Sequence, residues 1–374
     1  MERKKCTMEI EMFNQVYKNK KVLITGHTGF KGTWLSIWLK LLGANLYGIS
    51  REVLTNPSFY EISSHKKNFK KEYFFDIADY VKLNNTIKEI KPDFIFHLAA
   101  QSLVSVSYEN PLETINSNVL GTANLLEALR NLDENCVAVL ITSDKVYKNI
   151  EKQSGYKEED TIGGHDIYSG TKGAADILIN SYYKTYFKAN SKIKIVSARA
   201  GNVIGGGDWS RDRLIVDCIK SWVKNKKVLL RSPNATRPWQ HVIEPLSGYL
   251  HLGSYAFKSK YLGEPFNFGP DSKSVITVLE LIKKLSNKWF NDENIDFFSI
   301  QKSDLKEANL LQLDCQKAYN KLGWKSIIDT EDLVNLTINW YKSFYENEDV
   351  EELSIKQILY YKELGIKNNQ EWVK

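Results

Sequence analysis

A glycine-rich turn between a short apolar run and a helical pattern constrains the fold of this chain more than any other feature. Three apolar residues beginning at Val22 precede Gly26, Gly29 and Gly32, and apolar residues at helical spacing follow over 34–42. Glycine permits a tight turn and a close approach of the backbone to a pyrophosphate, whose charge the helix N-terminus then holds. The spacing is GxxGxxG rather than GxGxxG. Its position after the first strand predicts a dinucleotide-binding loop.

Apolar runs that alternate with helical patterns continue along the chain. We predict further strands at 45–49, 73–75, 93–98, 137–142 and 193–198, and long helices at Pro111–Asn131 and Tyr168–Ala189. Such alternation favours an α/β fold, with a Rossmann-type, doubly wound parallel sheet that helices cover on both faces.

Changes in character along the chain predict three divisions. Residues 1–20 are expected to form a short polar leader, with a helix over 8–17 that packs on the domain. Residues 21–200 are expected to form the dinucleotide-binding domain. Residues 201–374, which carry a glycine-rich turn and several Arg and Trp residues, are expected to form mainly a smaller substrate-binding lobe, with chain crossovers between the two. This lobe would close over the carboxyl edge of the sheet, where open α/β folds bind ligands.

Composition limits the possible classes of function. The net charge of +6 comes from scattered Lys residues, so we do not expect nucleic-acid binding. Four widely spaced cysteines, without metal-ligand spacing, predict reduced thiols and no metal site. The sequence lacks an apolar run of membrane-spanning length and the apolar segment of a signal peptide. We therefore expect a cytoplasmic protein that does not associate with membranes.

A tyrosine and a lysine one helical turn apart carry the first part of the predicted chemistry. Tyr168 and Lys172 share one face of a predicted helix. An ammonium beside the phenol favours the phenolate, and so lowers a tyrosine pKa that is about 10 when unperturbed. Tyr168 can then accept a hydroxyl proton while a hydride leaves the same carbon. Ser143, at the end of a buried strand, is positioned to hydrogen-bond the reacting hydroxyl.

An acid and an amine follow Ser143 directly. A simple dehydrogenase or epimerase does not need Asp144 and Lys145 at this position. A dehydratase needs a base for the proton beside a new ketone and an acid for the departing hydroxyl. The pair therefore indicates a dehydratase, and two ordinary loop charges are the alternative.

The ends of the second and third strands leave the cofactor preference open. A carboxylate after the second strand would bind the ribose 2′-hydroxyl of NAD, but Ser50 and Arg51 stand there. An Arg can face the 2′-phosphate of NADP, so NAD and NADP are both compatible with the pattern. Asp76 and Ile77, after the third strand, are candidates for the adenine edge, and a strand-end cap is the alternative for Asp76.

Several motifs resemble the extended short-chain dehydrogenase/reductase superfamily, and more narrowly its CDP-glucose 4,6-dehydratase branch, from Lys21 to about Tyr345. These motifs are TGHTGFKG at Thr25–Gly32, HLAAQS at His97–Ser102, TSDKVY at Thr142–Tyr147, YSGTK at Tyr168–Lys172, RAGNVIGGGDW at Arg199–Trp209 and RPWQHV at Arg237–Val242. His27, Lys31 and the Asp-Lys pair look specific to this branch.

The resemblance implies a bound NAD that is reduced and reoxidised within one turnover. Tyr168, with Ser143 and Lys172, would remove the 4-hydroxyl proton of CDP-glucose. Lys145 would take the proton from carbon 5, and Asp144 would help water to leave carbon 6. The product would be CDP-4-dehydro-6-deoxyglucose, an intermediate of deoxysugar synthesis for lipopolysaccharide or capsule.

The resemblance also implies binding residues and an assembly. The expected cofactor-binding residues are Gly26, His27, Thr28, Gly29, Phe30, Lys31, Gly32, Ser50, Arg51, Asp76, Ile77, Leu98, Ala99, Ala100, Thr142, Tyr168 and Lys172. The expected substrate-binding residues are Ser102, Ser143, Asn202, Arg213, Leu214, Arg231 and Arg237.

The two long helices would form a four-helix bundle in a homodimer or tetramer. Their apolar residues beyond the needs of one core face are expected to include Leu125, Leu126, Ile179 and Tyr183. Another sugar-nucleotide dehydratase or epimerase, or a non-catalytic NAD(P)-binding protein, is the alternative function.

Overall fold

A parallel sheet organises the fold. The computed structural model describes residues 9–189, 192–230, 232–270, 276–292, 297–300 and 310–374. In chain order, its strands are β1 Lys21–Thr25, β2 Asn45–Ser50, β3 Phe69–Phe74, β4 Phe94–His97, β5 Cys136–Ile141, β6 Ile193–Ala200, β7 Val203–Ile204, β8 Val228–Leu230, β9 Thr236–Arg237, β10 Gln240–His241, β11 Pro265–Phe268, β12 Ile276–Thr277 and β13 Phe298–Ile300.

Seven of these strands form the central sheet, in the order β11-β6-β5-β4-β1-β2-β3. Every neighbouring pair in it is parallel. The strand order runs outward in opposite directions from β1 and β4, so these two strands flank the switch point where such sheets bind ligands. Thr25 and His97 are paired in register there, at the carboxyl ends of β1 and β4. The Rossmann-type architecture expected from the sequence is confirmed.

Helices cover both faces of the sheet. In chain order they are α1 Phe30–Leu41, α2 Phe59–Ile62, α3 Tyr80–Ile90, α4 Val104–Glu109, α5 Pro111–Ile115, α6 Gly121–Arg130, α7 Ile167–Tyr182, α8 Leu214–Trp222, α9 Ile243–Phe257, α10 Val278–Phe290, α11 Gln316–Leu322, α12 Thr330–Tyr345 and α13 Val350–Lys367. The predicted helix over 111–131 is interrupted by a π turn at Asn116–Leu120, and the predicted helix over 168–189 ends in another at Tyr183–Phe187.

The alternation of side chains along β1 shows how the two faces are filled. Val22 and Ile24 lie in one apolar cluster with side chains of α1, α9 and α13. Leu23, between them, lies in a second cluster with side chains of α3, α6 and α7. Successive strand residues point to opposite faces, so a strand covered on both sides is apolar throughout. This explains the unbroken apolar run that precedes the glycine-rich turn.

The segment before β1 packs without the predicted helix. Residue 8 lies outside the described residues, and Phe13, Asn14 and Gln15 form a short turn with φ near 54°. Three successive positive φ angles exclude a right-handed α-helix. Burial of large apolar side chains holds the segment in place, and the Tyr17 hydroxyl donates to the carbonyl of Leu250 in α9 at 2.5 Å. The helix prediction over 9–17 was therefore wrong.

The C-terminal half of the chain contributes to the sheet as well as to the rim above it. Strand β11 pairs with β6, and α9 contacts β5 and β6. The division into 21–200 and 201–374 stays a prediction, in which these elements are the crossovers. No helix among the described residues is long and apolar enough to span a membrane.

Candidate active site

The glycine-rich turn packs so closely that side chains are excluded from it. Gly26 has a φ of 78°, and a Cβ atom there would lie 2.8 Å from the amide nitrogen of Ala99. A Cβ atom on Gly32 would lie 2.1 Å from the carbonyl oxygen of Gly26. Gly29 precedes α1 without a capping side chain, which leaves the N–H groups of the first helical turn available to an anion. This arrangement fits the pyrophosphate of a dinucleotide.

The end of β4 forms the opposite wall of the turn. Leu98 donates its N–H to the carbonyl of Thr25 at 3.1 Å, and Ala99 donates to the Thr25 hydroxyl at 3.2 Å. Ala100 follows them. Phe30, the first residue of α1, faces Gly205 of the second glycine-rich turn. The residues predicted at the end of β4 therefore lie beside the loop, as the parallel register requires.

His27, Thr28 and Ser50 fasten the turn to its neighbours through their side chains. The buried His27 ring bonds Ser50 Oγ at 3.0 Å through Nδ1 and Glu72 at 2.9 Å through Nε2. Thr28 donates its hydroxyl to the carbonyl of Glu52 at 2.9 Å. Binding of a cofactor by these three residues stays a prediction. The contacts place the His27 ring between the turn and the β2–β3 edge.

Carboxylates surround the arginine that left the cofactor preference open. Arg51 donates to Glu113 at 2.7 Å and to Glu52 at 2.9 Å, and its Nη1 lies 3.8 Å from Asp76. A 2′-phosphate at this position would meet their negative charges as well as the guanidinium. Asp76 also accepts the N–H of Ala78 at 2.9 Å, which is the strand-end cap considered as its alternative role. The surroundings of Arg51 therefore favour NAD over NADP.

Ile77, the second candidate for the adenine edge, is buried. Its side chain packs so tightly on α6 that a Cβ atom at Gly121 would lie 2.5 Å from it. Ile77 therefore belongs to the apolar cluster that α3 and α6 form on one face of the sheet. A contact with adenine stays a prediction.

Tyr168 and Lys172 lie where α7 begins. Asp166 caps the helix by accepting the N–H of Ser169 at 2.8 Å, which places Tyr168 in the first turn and Lys172 in the next. Both side chains are buried. Burial lowers the pKa of Lys172 to about 8. The phenol and the ammonium thus share one buried face, as their spacing predicted.

The electrostatics of Tyr168 differ from the expectation. Burial raises the pKa of the phenol, and a hydrogen bond with Ser143 and the charge of Arg213 oppose this rise. The prediction that Lys172 would lower the pKa of Tyr168 below its usual value was therefore wrong. The physical reason is desolvation, which disfavours a buried phenolate more than nearby cations stabilise it.

The acid and the amine lie in a short 3-10 turn that Ser143 begins. Ser143 donates its hydroxyl to Asp144 Oδ1 at 2.9 Å and accepts the N–H of Lys145 at 3.2 Å. Asp144 is only 4% exposed, and Lys145 is half-buried. Burial raises the pKa of Asp144, while Lys145 and the Ser143 hydrogen bond oppose the rise. A carboxyl that retains its proton more readily is suited to act as a general acid.

A buried polar network holds both ends of the segment that carries these residues. Arg199 forms an ion pair with Asp176, which accepts the hydroxyl of Thr142 at 3.1 Å. Arg199 also donates to the hydroxyl of Tyr147 at 2.8 Å, and Tyr147 donates to Asn267 at 2.7 Å. These bonds fix the residues on either side of Ser143, Asp144 and Lys145. The hydroxyl of Thr142 donates to Asp176 in this network, and binding of the cofactor by Thr142 stays a prediction.

Lys31 and Tyr249 form a further contact in the site, and cofactor binding by Lys31 stays a prediction. Lys31, expected to bind the cofactor, places its Nζ atom 3.4 Å from the hydroxyl of Tyr249 in α9. Burial lowers the pKa of Lys31 to about 8, as do the charges of Arg213 and Lys172, while Asp144 opposes them. Tyr249 was not predicted, because nothing in the apolar pattern of α9 distinguishes it from a core residue.

The predicted substrate residues lie around this cluster at the rim. Arg213 donates to the carbonyl of Ser102 at 3.3 Å, and Leu214 begins α8 directly after it. The influence of Arg213 on Tyr168 and Lys31 places its charge within the site.

Two further substrate candidates, Asn202 and Arg237, lie between β6 and β7 and in β9. Asn202 accepts the N–H of Gln240 at 3.1 Å through its carbonyl, and Arg237 in β9 donates to the carbonyl of Thr236 at 2.9 Å. Arg231 lies outside the described residues. Binding of substrate by these residues stays a prediction. In the described ranges there is no group of three or more His, Cys, Asp or Glu residues that could hold a metal ion.

Comparison with known proteins identifies the family to which this site belongs. The family model described as GDP-mannose 4,6 dehydratase matches residues 23–337. The chain belongs to this family. It is 40% identical over 348 residues to the CDP-glucose 4,6-dehydratase of Salmonella typhimurium, which covers 91% of this chain and 96% of that protein. It is 27% identical over 346 residues to the CDP-paratose 2-epimerase of Salmonella typhi, covering 86% and 99% of the two chains.

Solved structures of related proteins have the same fold. The X-ray structure of Pal from Bacillus thuringiensis superposes with a TM-score of 0.75 at 25% identity, over 87% of this chain and 99% of that one. The dTDP-glucose 4,6-dehydratase from Bacillus anthracis, solved in complex with NAD, gives a TM-score of 0.72 at 21% identity, over 89% and 99%. The motif resemblance is therefore confirmed at the level of the family and of the fold.

Proposed function

We propose that the protein is a CDP-glucose 4,6-dehydratase that uses NAD. The observation that carries this proposal is the 40% identity, over nearly the whole chain, to a protein of that activity. The geometry supports it, because an acid and an amine adjoin the Ser143 and Tyr168 pair in one buried site. Another dehydratase or an epimerase on the same scaffold is less well supported, since the epimerase relative is only 27% identical.

The first task of the site is oxidation at carbon 4. NAD, which Gly26, Gly29 and Gly32 would hold at the start of α1, would supply the hydride acceptor for carbon 4 and the hydride donor for carbon 6. Tyr168 takes the proton of the 4-hydroxyl through its phenolate, and Ser143, whose hydroxyl lowers the pKa of the phenol, orients that hydroxyl of the sugar. The cationic Arg213 stabilises the phenolate against the cost of burial. Together these groups produce a 4-keto sugar.

The second task is loss of water. The ketone acidifies the hydrogen on carbon 5, and neutral Lys145 removes it as a proton. The electrons of that C–H bond form a double bond between carbons 5 and 6. The C6–O bond breaks, and the hydroxyl takes the proton of Asp144 and leaves as water. Lys145 ends this step as an ammonium and Asp144 as a carboxylate, and Lys145 can then return a proton to carbon 5.

Turnover in deuterated water tests this function most directly. With CDP-glucose and NAD, the product mass should fall by one water, and carbon 5 should carry deuterium. Parallel reactions with dTDP-, UDP- and GDP-glucose test the nucleotide, and a reaction with NADP tests the cofactor. An unchanged sugar mass with CDP-glucose, or loss of water only from another nucleotide sugar, would reject the proposal. Faster turnover with NADP would reject the argument from the carboxylates around Arg51.

We also infer a homodimer, although not through the residues expected from the sequence. Leu125, Leu126 and Ile179 are buried in the core, and Tyr183 is partly buried and packs against it. The expectation that they form the interface was therefore wrong. Other large apolar side chains of the α4–α6 segment and α7 are exposed instead: Tyr108, Leu112, Ile115, Leu120 and Ile177. Exposed apolar surface of this kind is typical of an interface.

Light scattering tests the assembly. Leu112→Glu should convert the dimer to a monomer, because it would bury a charge in the interface. Val81→Glu, at a similarly exposed residue of α3, is the control and should leave the mass unchanged. A monomeric parent protein, or no effect of Leu112→Glu, would contradict the inference.

We place the enzyme in the cytoplasm, where nucleotide sugars for deoxysugar synthesis are made and thiols stay reduced.

A further inference from the structure

Helix α9 carries a tyrosine that the steps above do not use, although its hydroxyl lies in the catalytic cluster. Tyr249 is fully buried, and its ring meets that of Phe268 edge to face, with the ring centroids 5.9 Å apart. Its hydroxyl lies 3.4 Å from Nζ of Lys31. The ammonium lies 5.8 Å from the centre of the Tyr249 ring, on the side of its hydroxyl. Tyr249 thus contacts Lys31 through its hydroxyl.

The acid of the proposed mechanism lies next to this pair. The charges of Asp144 and Tyr168 both act on Tyr249, and the charge of Asp144 acts on Lys31. Asp144 fits closely against the end of β6, since a Cβ atom at Gly201 would lie 2.9 Å from its Oδ2. Lys31 therefore contacts Tyr249, and the charges that act on the pKa of Lys31 are those of Arg213, Lys172, Asp144 and Asp208.

We propose that Tyr249 is a positioning residue that holds the ammonium of Lys31 toward Asp144 during loss of water. This proposal rests on the function proposed above. When the C6–O bond breaks, the proton of Asp144 leaves with the hydroxyl, and a carboxylate forms in a buried place. An uncompensated buried carboxylate is costly, and a cation already oriented toward it stabilises the charge as it develops.

This arrangement gives the two lysines near Asp144 different tasks. Lys145 takes the proton from carbon 5, so its own charge changes during the step. Lys31 takes no part in proton transfer and can remain an ammonium throughout. The hydrogen bond that Lys31 donates to the Tyr249 hydroxyl restricts the position of Lys31, whose long side chain would otherwise be free to turn. The need for a fixed cation thus explains a tyrosine at this buried position of α9.

The Tyr249→Phe variant tests the proposal, because it keeps the ring and removes only the hydroxyl. Two substrates should be compared in single-turnover measurements of C6 leaving-group release: CDP-glucose, and CDP-glucose with fluorine in place of the 6-hydroxyl. Fluoride leaves without a proton, so the second substrate bypasses the acid. We expect release from CDP-glucose to slow about tenfold, the usual size for one hydrogen bond to a charged group. Release from the fluoro substrate should stay within about twofold of the parent rate.

Two further variants complete the test. Tyr255→Phe, on the same helix but stacked on Tyr261 away from the site, should behave as the parent enzyme with both substrates. Lys31→Met should show the same substrate-selective loss as Tyr249→Phe. In Lys31→Met, the pH at which water loss declines should also move upward, since the cation that lowers the pKa of Asp144 is gone.

The outcomes separate this proposal from the function on which it rests. If Tyr249→Phe and Lys31→Met slow release equally from both substrates, or from neither, the positioning role is refuted. Should Tyr249→Phe fail to fold, as circular dichroism would reveal, Lys31→Met with its pH profile decides alone. If the parent enzyme releases neither water nor fluoride, the dehydratase function fails instead.

Discussion

A single buried carboxyl in the core should make the stability of this protein depend on pH. Glu244, near the start of α9, is fully buried, and its Oε1 accepts the N–H groups of Ile327 at 2.9 Å and Ile328 at 2.6 Å. Its Oε2 has no hydrogen-bond partner in the described part of the chain. Burial raises the pKa of Glu244 from 4.5 to about 7, although Ser326, Tyr361 and the two N–H groups oppose the rise.

The size and sign of the effect follow from this shift. Between about pH 4.5 and pH 7 the folded protein holds a proton on Glu244 that the unfolded chain has released. The stabilisation is complete below the unfolded pKa and is lost as the pH rises through the folded pKa. A difference of about 2.5 units corresponds to about 3 kcal/mol of unfolding free energy, at roughly 1.4 kcal/mol per unit.

The substitution Glu244→Gln isolates this contribution. The glutamine oxygen can still accept both N–H groups, while the neutral amide cannot ionise. The advantage of the variant over the parent in unfolding free energy should therefore grow between about pH 4.5 and 7, and at pH 8 it should reach up to about 3 kcal/mol. Urea unfolding at several pH values, followed by tryptophan fluorescence, measures this difference.

The control is Glu363→Gln, at an exposed residue of α13, which should follow the parent curve. Cofactor and substrate should be absent from every sample, because ligand binding would add its own pH dependence to stability. If the difference in unfolding free energy between Glu244→Gln and the parent stays constant from about pH 4.5 to 8, Glu244 does not titrate in this range, and the reasoning from its burial is refuted.

Three further predictions concern the chemistry. Tyr168→Phe should abolish the transient reduced-nicotinamide absorbance, since no group would take the 4-hydroxyl proton; near-normal activity would exclude the role. Lys145→Ala should slow water loss more than oxidation, so that 4-keto hexose accumulates in quenched reactions; equal loss of both steps would remove the reason to name it the base. Water loss in the parent should decline as the pH rises through the pKa of Asp144, which burial raises, because only the protonated carboxyl can donate; a pH profile of Asp144→Asn that keeps this decline would assign it to another group.

Local patterns in the sequence predicted the central elements well, with errors that have physical causes. Strand β3 begins at Phe69, although we predicted it only from Tyr73. It is an edge strand, and the charged residues 70–72 interrupt the apolar pattern by which a buried strand is recognised. The π turn at Asn116–Leu120 was also missed, because a single wide turn leaves the apolar spacing of a long helix almost unchanged.

The candidate site shows the same limit. The one-turn spacing of Tyr168 and Lys172 was sufficient to predict that they share a face. It was not sufficient to predict the direction of the tyrosine pKa shift, because desolvation depends on every element that covers the phenol. Likewise, Arg51 was visible as a charge after β2, but Glu113, which neutralises it, comes from a helix 62 residues further along.

What the sequence alone determined are relations within one element or across one turn: the strand, glycine turn and helix that form the cofactor loop, and the order of Ser143, Asp144 and Lys145. Backbone geometry sets these distances, whatever the rest of the chain does. Tertiary structure alone decided that Tyr249 meets Lys31 beside Asp144. These residues come from separate elements, and their contact exists only because α9 and the carboxyl edge of the sheet pack together and exclude water from the groups between them.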